Sequence, residues 1–183
     1  MKEFIKDLVI AIIIVLAVTM VIKPTIVKES SMESTLFENN YLFVNKMAYK
    51  MKDHPNRGDI IVFKSQLDNT EDGGKKLLIK RVIGVEGDTI TISDGEVYRN
   101  GELLEEPYVN IPGETWTDRG EDVTDFQVPE DQLFCMGDNR EVSLDSRSPE
   151  VGTVSESAVV GKAFIRLYPF SDFGLLTEYS EKD

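Results

Sequence analysis

The chain has 183 residues, 20 basic and 33 acidic, for a formal net charge of −13. A nucleic-acid binder needs a basic face, and no Lys/Arg cluster supplies one, so the acidity reads as a solubility feature. A single cysteine, Cys135, and a single histidine, His54, exclude an internal disulfide and a Cys-rich zinc site and argue against any structural metal.

The chain opens "MKEFIKDLVIAIIIVLAVTMVIKPTIV", with an uncharged run from Leu8 to Ile22. As a helix that run rises about 22 Å, short of the roughly 30 Å hydrocarbon core of a bilayer. Phe4, Ile5, Ile26 and Val27 close the gap if Lys6 and Lys23 snorkel toward the head groups and Asp7 sits at the interface. A cleaved signal peptide would show small residues in an A-x-A pattern after the run; "LAVTM" is a poor match, and "VIKPTIV" continues apolar. A core helix would be amphipathic, whereas this segment is apolar all round. Residues 1–28 are therefore expected to form an uncleaved transmembrane anchor. Lys2 and Lys6 precede the span and Lys23 and Lys28 follow it, so the positive-inside count is a tie. Beyond residue 28 the net charge is −15, which repels anionic lipid and leaves attachment to the anchor.

From Tyr41 onward the chain reads as short strands rich in Val, Ile, Phe and Tyr: "YLFVNKM", "DIIVFK", "LLIKRVIGV", "DTITIS", "EVYRNG", "FQVP", "LFCMG" and "VVGKAFIRLYP". Asp94-Gly95 and Asn100-Gly101 are pairs that suit tight hairpin turns. Residues 65–76 and 110–122 are polar and contain Gly or Pro, as surface loops do. No long helical period appears after Ile22. The expected fold is mainly β: an antiparallel sheet or partly open barrel spanning 29–183, with 96–127 as a small β insertion.

The stretch "VKESSMESTLFENNYLFVNK" (27–46) places Ser30, Ser31 and Ser34 just past the anchor. A serine nucleophile needs an adjacent base. His54, in "KDHPNRGD", reads as part of a solvated turn, which leaves lysine. Burial disfavours the charged form of an amine and can make it a base near neutral pH. Most lysines here have polar neighbours, but in "LLIKRVIGV" strand alternation puts Lys80 on one face with Leu78 and Val82, and Arg81 on the other with Ile79 and Ile83. The alternative for Lys80 is a strand-edge residue whose stem packs while its head reaches water.

"SSMESTL", "RGDIIVF", "LLIKRVIGVEGD" and "MGDNREVSLDSR", in this order behind a membrane segment, resemble the boxes of bacterial type I signal peptidases, particularly the shorter Gram-positive ones. The resemblance spans nearly the whole chain. It implies a Ser/Lys endopeptidase that removes signal peptides from exported preproteins through an acyl-enzyme, with Ser31 as nucleophile and Lys80 as general base. It further implies that Ser143 orients the amine, that Asp145 and Arg147 form a supporting charged pair, and that Asp138 and Arg140 scaffold the "GDNR" turn. The Ser31 N–H would be one oxyanion donor. Cleavage after small residues at −1 and −3 of an extended substrate is implied too, with no cofactor and no metal. The implied partners are signal peptides of secretory preproteins, the lipid bilayer and the secretion machinery. The N-terminus would be cytoplasmic and the catalytic domain extracytoplasmic.

Three departures stand out. Ser34 replaces the proline usual after Ser-Met-x; Glu29 stands two before the nucleophile, where Gly or Ser is common, and is expected to point to solvent; "SPEVGTV" follows "DSR" in place of an aromatic-glycine form. Met32 reads equally as packing or pocket lining, and Cys135 as a small buried hydrophobe. A self-cleaving repressor-type protease would carry a DNA-binding helix-turn-helix where this chain has its apolar span. An anchored, inactive relative acting as a binding subunit is the other alternative.

Overall fold

A computed structural model describes residues 2–50, 53–69, 73–117 and 122–176. Helix α1 (Lys2–Val21) exposes every side chain. Its twenty residues rise about 30 Å, so it is long and apolar enough to cross a membrane. The helix stops earlier than the apolar pattern does. Ile22–Ile26 form strand β1, paired antiparallel with β2 (Tyr41–Asn45). Pro24 ends helical geometry here, and an edge strand tolerates its missing N–H. Lys46 closes the helix end: its N–H donates to Val21 O at 2.8 Å and its Nζ to Thr19 O at 3.2 Å.

The main sheet continues through β3 (Ile60–Asp68), β4 (Lys75–Gly84), β9 (Gln132–Met136), β10 (Val154–Ser155) and β11 (Val159–Tyr168), in the order β1-β2-β11-β3-β4-β9-β10. Its pairings are antiparallel, and β12 (Gly174–Leu175) joins β11. A second, four-stranded sheet holds β5 (Thr89–Ser93), β6 (Glu96–Arg99), β7 (Glu102–Leu103) and β8 (Val123–Gln127). It therefore starts at Thr89, before the 96–127 insertion read from the sequence. The turns between its strands put Asp94, Gly95, Asn100 and Gly101 all at positive φ, between 51° and 84°. That is the conformation for which these residue types are suited.

Strand β3 is buried on both faces. Ile60 and Val62 pack with Val27, Met32, Leu36, Leu42 and Val44; Ile61 and Phe63 pack with Leu78, Val82, Leu133 and Cys135. Met32 is thus core packing, and Cys135 a buried thiol whose pKa burial pushes up. A third cluster (Ile83, Ile90, Ile92, Val97, Phe134 and Met136 among others) joins the two sheets. The 65–76 loop is shorter than read: β3 carries on to Asp68 and β4 begins at Lys75. The ladder extends through an irregularity between Lys64 and Asp68, where Ser65 Oγ donates to Lys76 O at 2.9 Å, and residues 70–72 lie outside the described set.

Gly161 marks the closest approach within the main sheet. A Cβ there would sit 2.3 Å from Asn45 O. Gly161→Ala should therefore destabilise the fold by about 1–3 kcal/mol, lowering the urea midpoint without changing the slope; an unchanged midpoint would show that β2 and β11 can separate freely.

Candidate active site

The loop after β1 enters a single 3-10 turn, Ser30–Met32. Met32 and Leu36 plug it into the core, fixing Ser31 beside β4 with only 8% of its surface exposed. Strand β4 is interior from Arg81 onward, flanked by β3 and β9. Lys80 and Arg81 are almost fully buried, on opposite faces. The strand-edge alternative for Lys80 is thereby corrected: with 1% exposure, its head does not reach water.

Lys80 Nζ lies 2.6 Å from Ser31 Oγ. No carboxylate is hydrogen-bonded to this amine among the described residues. Burial lowers its pKa; Asp145 and Glu29 push back, while Lys76 and Arg147 reinforce the lowering. A neutral amine at this distance can accept the hydroxyl proton, which is what a serine nucleophile requires. Of the three serines, Ser31 is the one whose hydroxyl meets a lysine among the described residues. Ser34 is exposed and donates to Tyr108 O at 3.4 Å. His54 is also exposed and pairs with Glu156 at 2.7 Å, so it takes no part here.

The turn Gly137–Arg140 ties four elements together. Gly137 N–H donates to Asp145 at 3.0 Å. Asp138 receives two bonds from Arg81, 2.9 Å and 2.7 Å, and one from Thr35 at 2.5 Å. Asn139 N–H donates to Ser31 O at 3.1 Å and its Nδ2 to Ser30 O at 3.2 Å. Arg140 reaches the segment after β7, donating to both oxygens of Glu106 at 2.9 Å and 2.6 Å and to Thr115 at 2.8 Å. Arg81 also stacks over the Tyr108 ring, 4.0 Å from its centroid.

Asp145 is fully buried. Burial alone would raise its pKa, but the Arg147 side chain, bonded to it at 2.9 Å and 2.8 Å, and the Gly137 N–H hold it below the usual carboxylate range. Arg147 in turn donates to Trp116 O and Ser143 O. Ser143 Oγ is buried, makes no bond to Lys80, and lies beside the Asp145 carboxylate, which it helps to hold ionised. It nevertheless belongs to the same floor: a Cβ on Gly137 would lie 2.2 Å from Ser143 Oγ and 2.3 Å from Ser31 O. Glu29 is exposed and pairs with Lys76, and its carboxylate still acts on the Lys80 amine.

Sequence reasoning named Asp138 and Arg140 but passed over Asn139, Gly137, Thr35 and Glu106. Asn139 and Gly137 stand inside the same "GDNR" string, which was the available signal. Thr35 likewise stands inside "SSMESTL", whereas Glu106 has no such signal, because long-range pairing selects it. Among the described residues, no cluster of His, Cys, Asp and Glu side chains is arranged to hold a metal ion.

The family described as "Signal peptidase, peptidase S26" matches residues 1–168. A probable signal peptidase I-2 of Synechocystis is 35% identical over 97% of this chain and 78% of its own length. Signal peptidase I of Bacillus licheniformis is 33% identical over 93% of this chain and 90% of its own. A crystal structure of a signal peptidase I from Enterococcus faecalis aligns with a TM-score of 0.47 and 33% identity, over 60% of this chain and 97% of that one.

Gly137→Ala should leave the chain folded yet lower kcat by about 100-fold, since a displacement near 1 Å at a reacting group costs that much. A kcat within twofold of the parent would mean that the Ser31 turn does not depend on this contact.

Proposed function

The chain belongs to the peptidase S26 signal peptidase family, and we propose that Ser31 is its nucleophile and Lys80 its general base. It is a serine endopeptidase of the signal peptidase I type, removing signal peptides from preproteins. The observation that carries the residue assignment is the 2.6 Å approach of a buried amine to a buried hydroxyl.

In this reading the neutral Lys80 amine accepts the Ser31 proton as Oγ attacks the scissile carbonyl. The resulting ammonium returns that proton to the departing amine, leaving an ester on Ser31. Lys80 then takes a proton from water, which attacks the ester and frees the enzyme. The Ser31 N–H faces the developing oxyanion. Asp145, Arg147, Asp138 and Arg140 hold the floor on which Ser31, Lys80 and Ser143 sit. Ser143 Oγ, buried and one residue-width from the Ser31 turn, is the group that steadies the amine once substrate has entered. Membership of the family implies cleavage after small residues at −1 and −3 of the substrate. Nothing in the geometry favours an inactive binding subunit, because both reactive groups are present and within bonding distance.

Helix α1 anchors the protein to a membrane. We place the peptidase domain outside the cytoplasm, beside the secretion machinery that delivers its substrates. The anchor ends with α1 at Val21 rather than at residue 28, because Ile22–Ile26 pair with β2 and Val27 packs in the core, so the peptidase begins at β1. Exposed aromatic residues support a membrane-facing edge. Tyr41, Tyr168 and Phe170 form successive edge-to-face contacts at 5.9 Å and 5.6 Å, beside the strand that continues α1. Phe170 is 81% and Phe173 60% exposed. Aromatic rings favour the level of the lipid head groups.

Ser31→Ala and Lys80→Ala should each lower preprotein cleavage in liposomes by at least about 1,000-fold; full processing by either would remove the dyad. With wild type, kcat/KM should climb with pH as Lys80 loses its proton, over a range below that of an ordinary lysine. Flat activity from about pH 6 to 10 would exclude an amine base.

A further inference from the structure

Two oppositely charged pairs flank the Lys80 amine. One is Asp145 with Arg147, buried and held by several bonds. The other is Glu29 with Lys76, whose side chains are 47% and 38% exposed. Among the described residues, the other titrating group facing the amine is the Cys135 thiol, which burial keeps protonated. Glu29 sits two residues before Ser31, on extended backbone leading into the serine turn. Lys76 sits four residues before Lys80 on β4, and strand alternation gives the two lysines the same face. The Glu29–Lys76 ion pair thus joins the loop that carries the nucleophile to the strand that carries the base.

We propose that Glu29 and Lys76 are positioning residues whose opposed charges, held together at the rim of the dyad, tune the base from outside it. This rests on Lys80 being the base. An exposed ion pair contributes little to stability, so its worth as a mechanical brace is small. Its members still act on a buried amine, where charge is screened less than at the surface. The Glu29 carboxylate favours the ammonium, and the Lys76 ammonium opposes it. While both are present the two effects oppose each other, as do those of Asp145 and Arg147. Removing one member leaves a net charge beside the amine. The carboxylate two before the nucleophile is therefore harmless only in company with Lys76.

The test is the pH profile of kcat/KM for preprotein cleavage by the full chain in liposomes. Glu29→Gln should move the rising limb to lower pH by about half a unit, and Lys76→Gln to higher pH by about the same. The double variant should return close to the parent. Glu29→Asp, which keeps the charge, should stay near the parent as well. Raising the salt concentration should shrink both single shifts. Equal-direction shifts, or activity losses with no shift, would reduce the pair to a brace and overturn the inference. Should Glu29→Gln fail to fold, the upward shift of Lys76→Gln alone decides. Lys80→Ala serves as the control: if it processes normally, the dyad itself fails; if it is inactive while the single variants do not shift, this inference alone fails.

Discussion

An amine buried in a β-sheet with a hydroxyl, and no carboxylate, bonded to it is the constraint on which this molecule turns. Lys80 is 1% exposed and its nearest polar partner is Ser31 Oγ. Burying an ammonium without an ion-pair partner is far more costly than burying the amine, so the site favours the neutral form. The cost appears as a loss of stability near neutral pH. The unfolded chain binds a proton at Lys80 that the folded chain disfavours, so this residue's contribution improves with pH up to the ordinary lysine range. The neighbouring core, three clusters spread over two sheets, has to supply the compensating burial.

Strand geometry then makes one residue step serve two purposes. Lys80 faces Ser31, and Arg81, on the opposite face, is locked to Asp138 with both groups fully buried. Breaking a buried pair of this kind costs about 3–5 kcal/mol. Because Asn139 follows Asp138 and holds the carbonyls of Ser30 and Ser31, the position of Ser31 is referred back to the strand that carries Lys80. Arg140 extends the same reference to the segment between β7 and β8 through Glu106. That segment is distant in sequence from Ser31, yet it braces the turn that sets the Ser31 backbone.

The alternation of "LLIKRVIGV" was enough to put Lys80 and Arg81 on opposite, apolar faces, and all eight quoted strand segments contain strands. The choice of Ser31 over Ser30 and Ser34 was not legible from local pattern, because it depends on which hydroxyl the 3-10 turn aims at β4. Likewise Ile22–Ile26 looked like the end of the anchor: apolar residues satisfy a bilayer and an edge strand alike, and only the pairing with β2 separates them. Two-residue strands such as β7, β10 and β12 carry too few side chains for any period. The partners of Thr35, Glu106 and Asn139 are illegible for another reason. Their roles come from bonds to residues far along the chain, which spacing does not encode.

The claim beneath all of this is that the folded protein keeps Lys80 uncharged where other lysines carry a proton. Isotope-labelled lysine, followed by NMR through an alkaline titration of the full chain in detergent, reads that state directly. The account requires one lysine that titrates well below the rest, with its signal missing from Lys80→Met and still present in Ser31→Ala. A spectrum in which every lysine titrates together, Lys80 included, would contradict it.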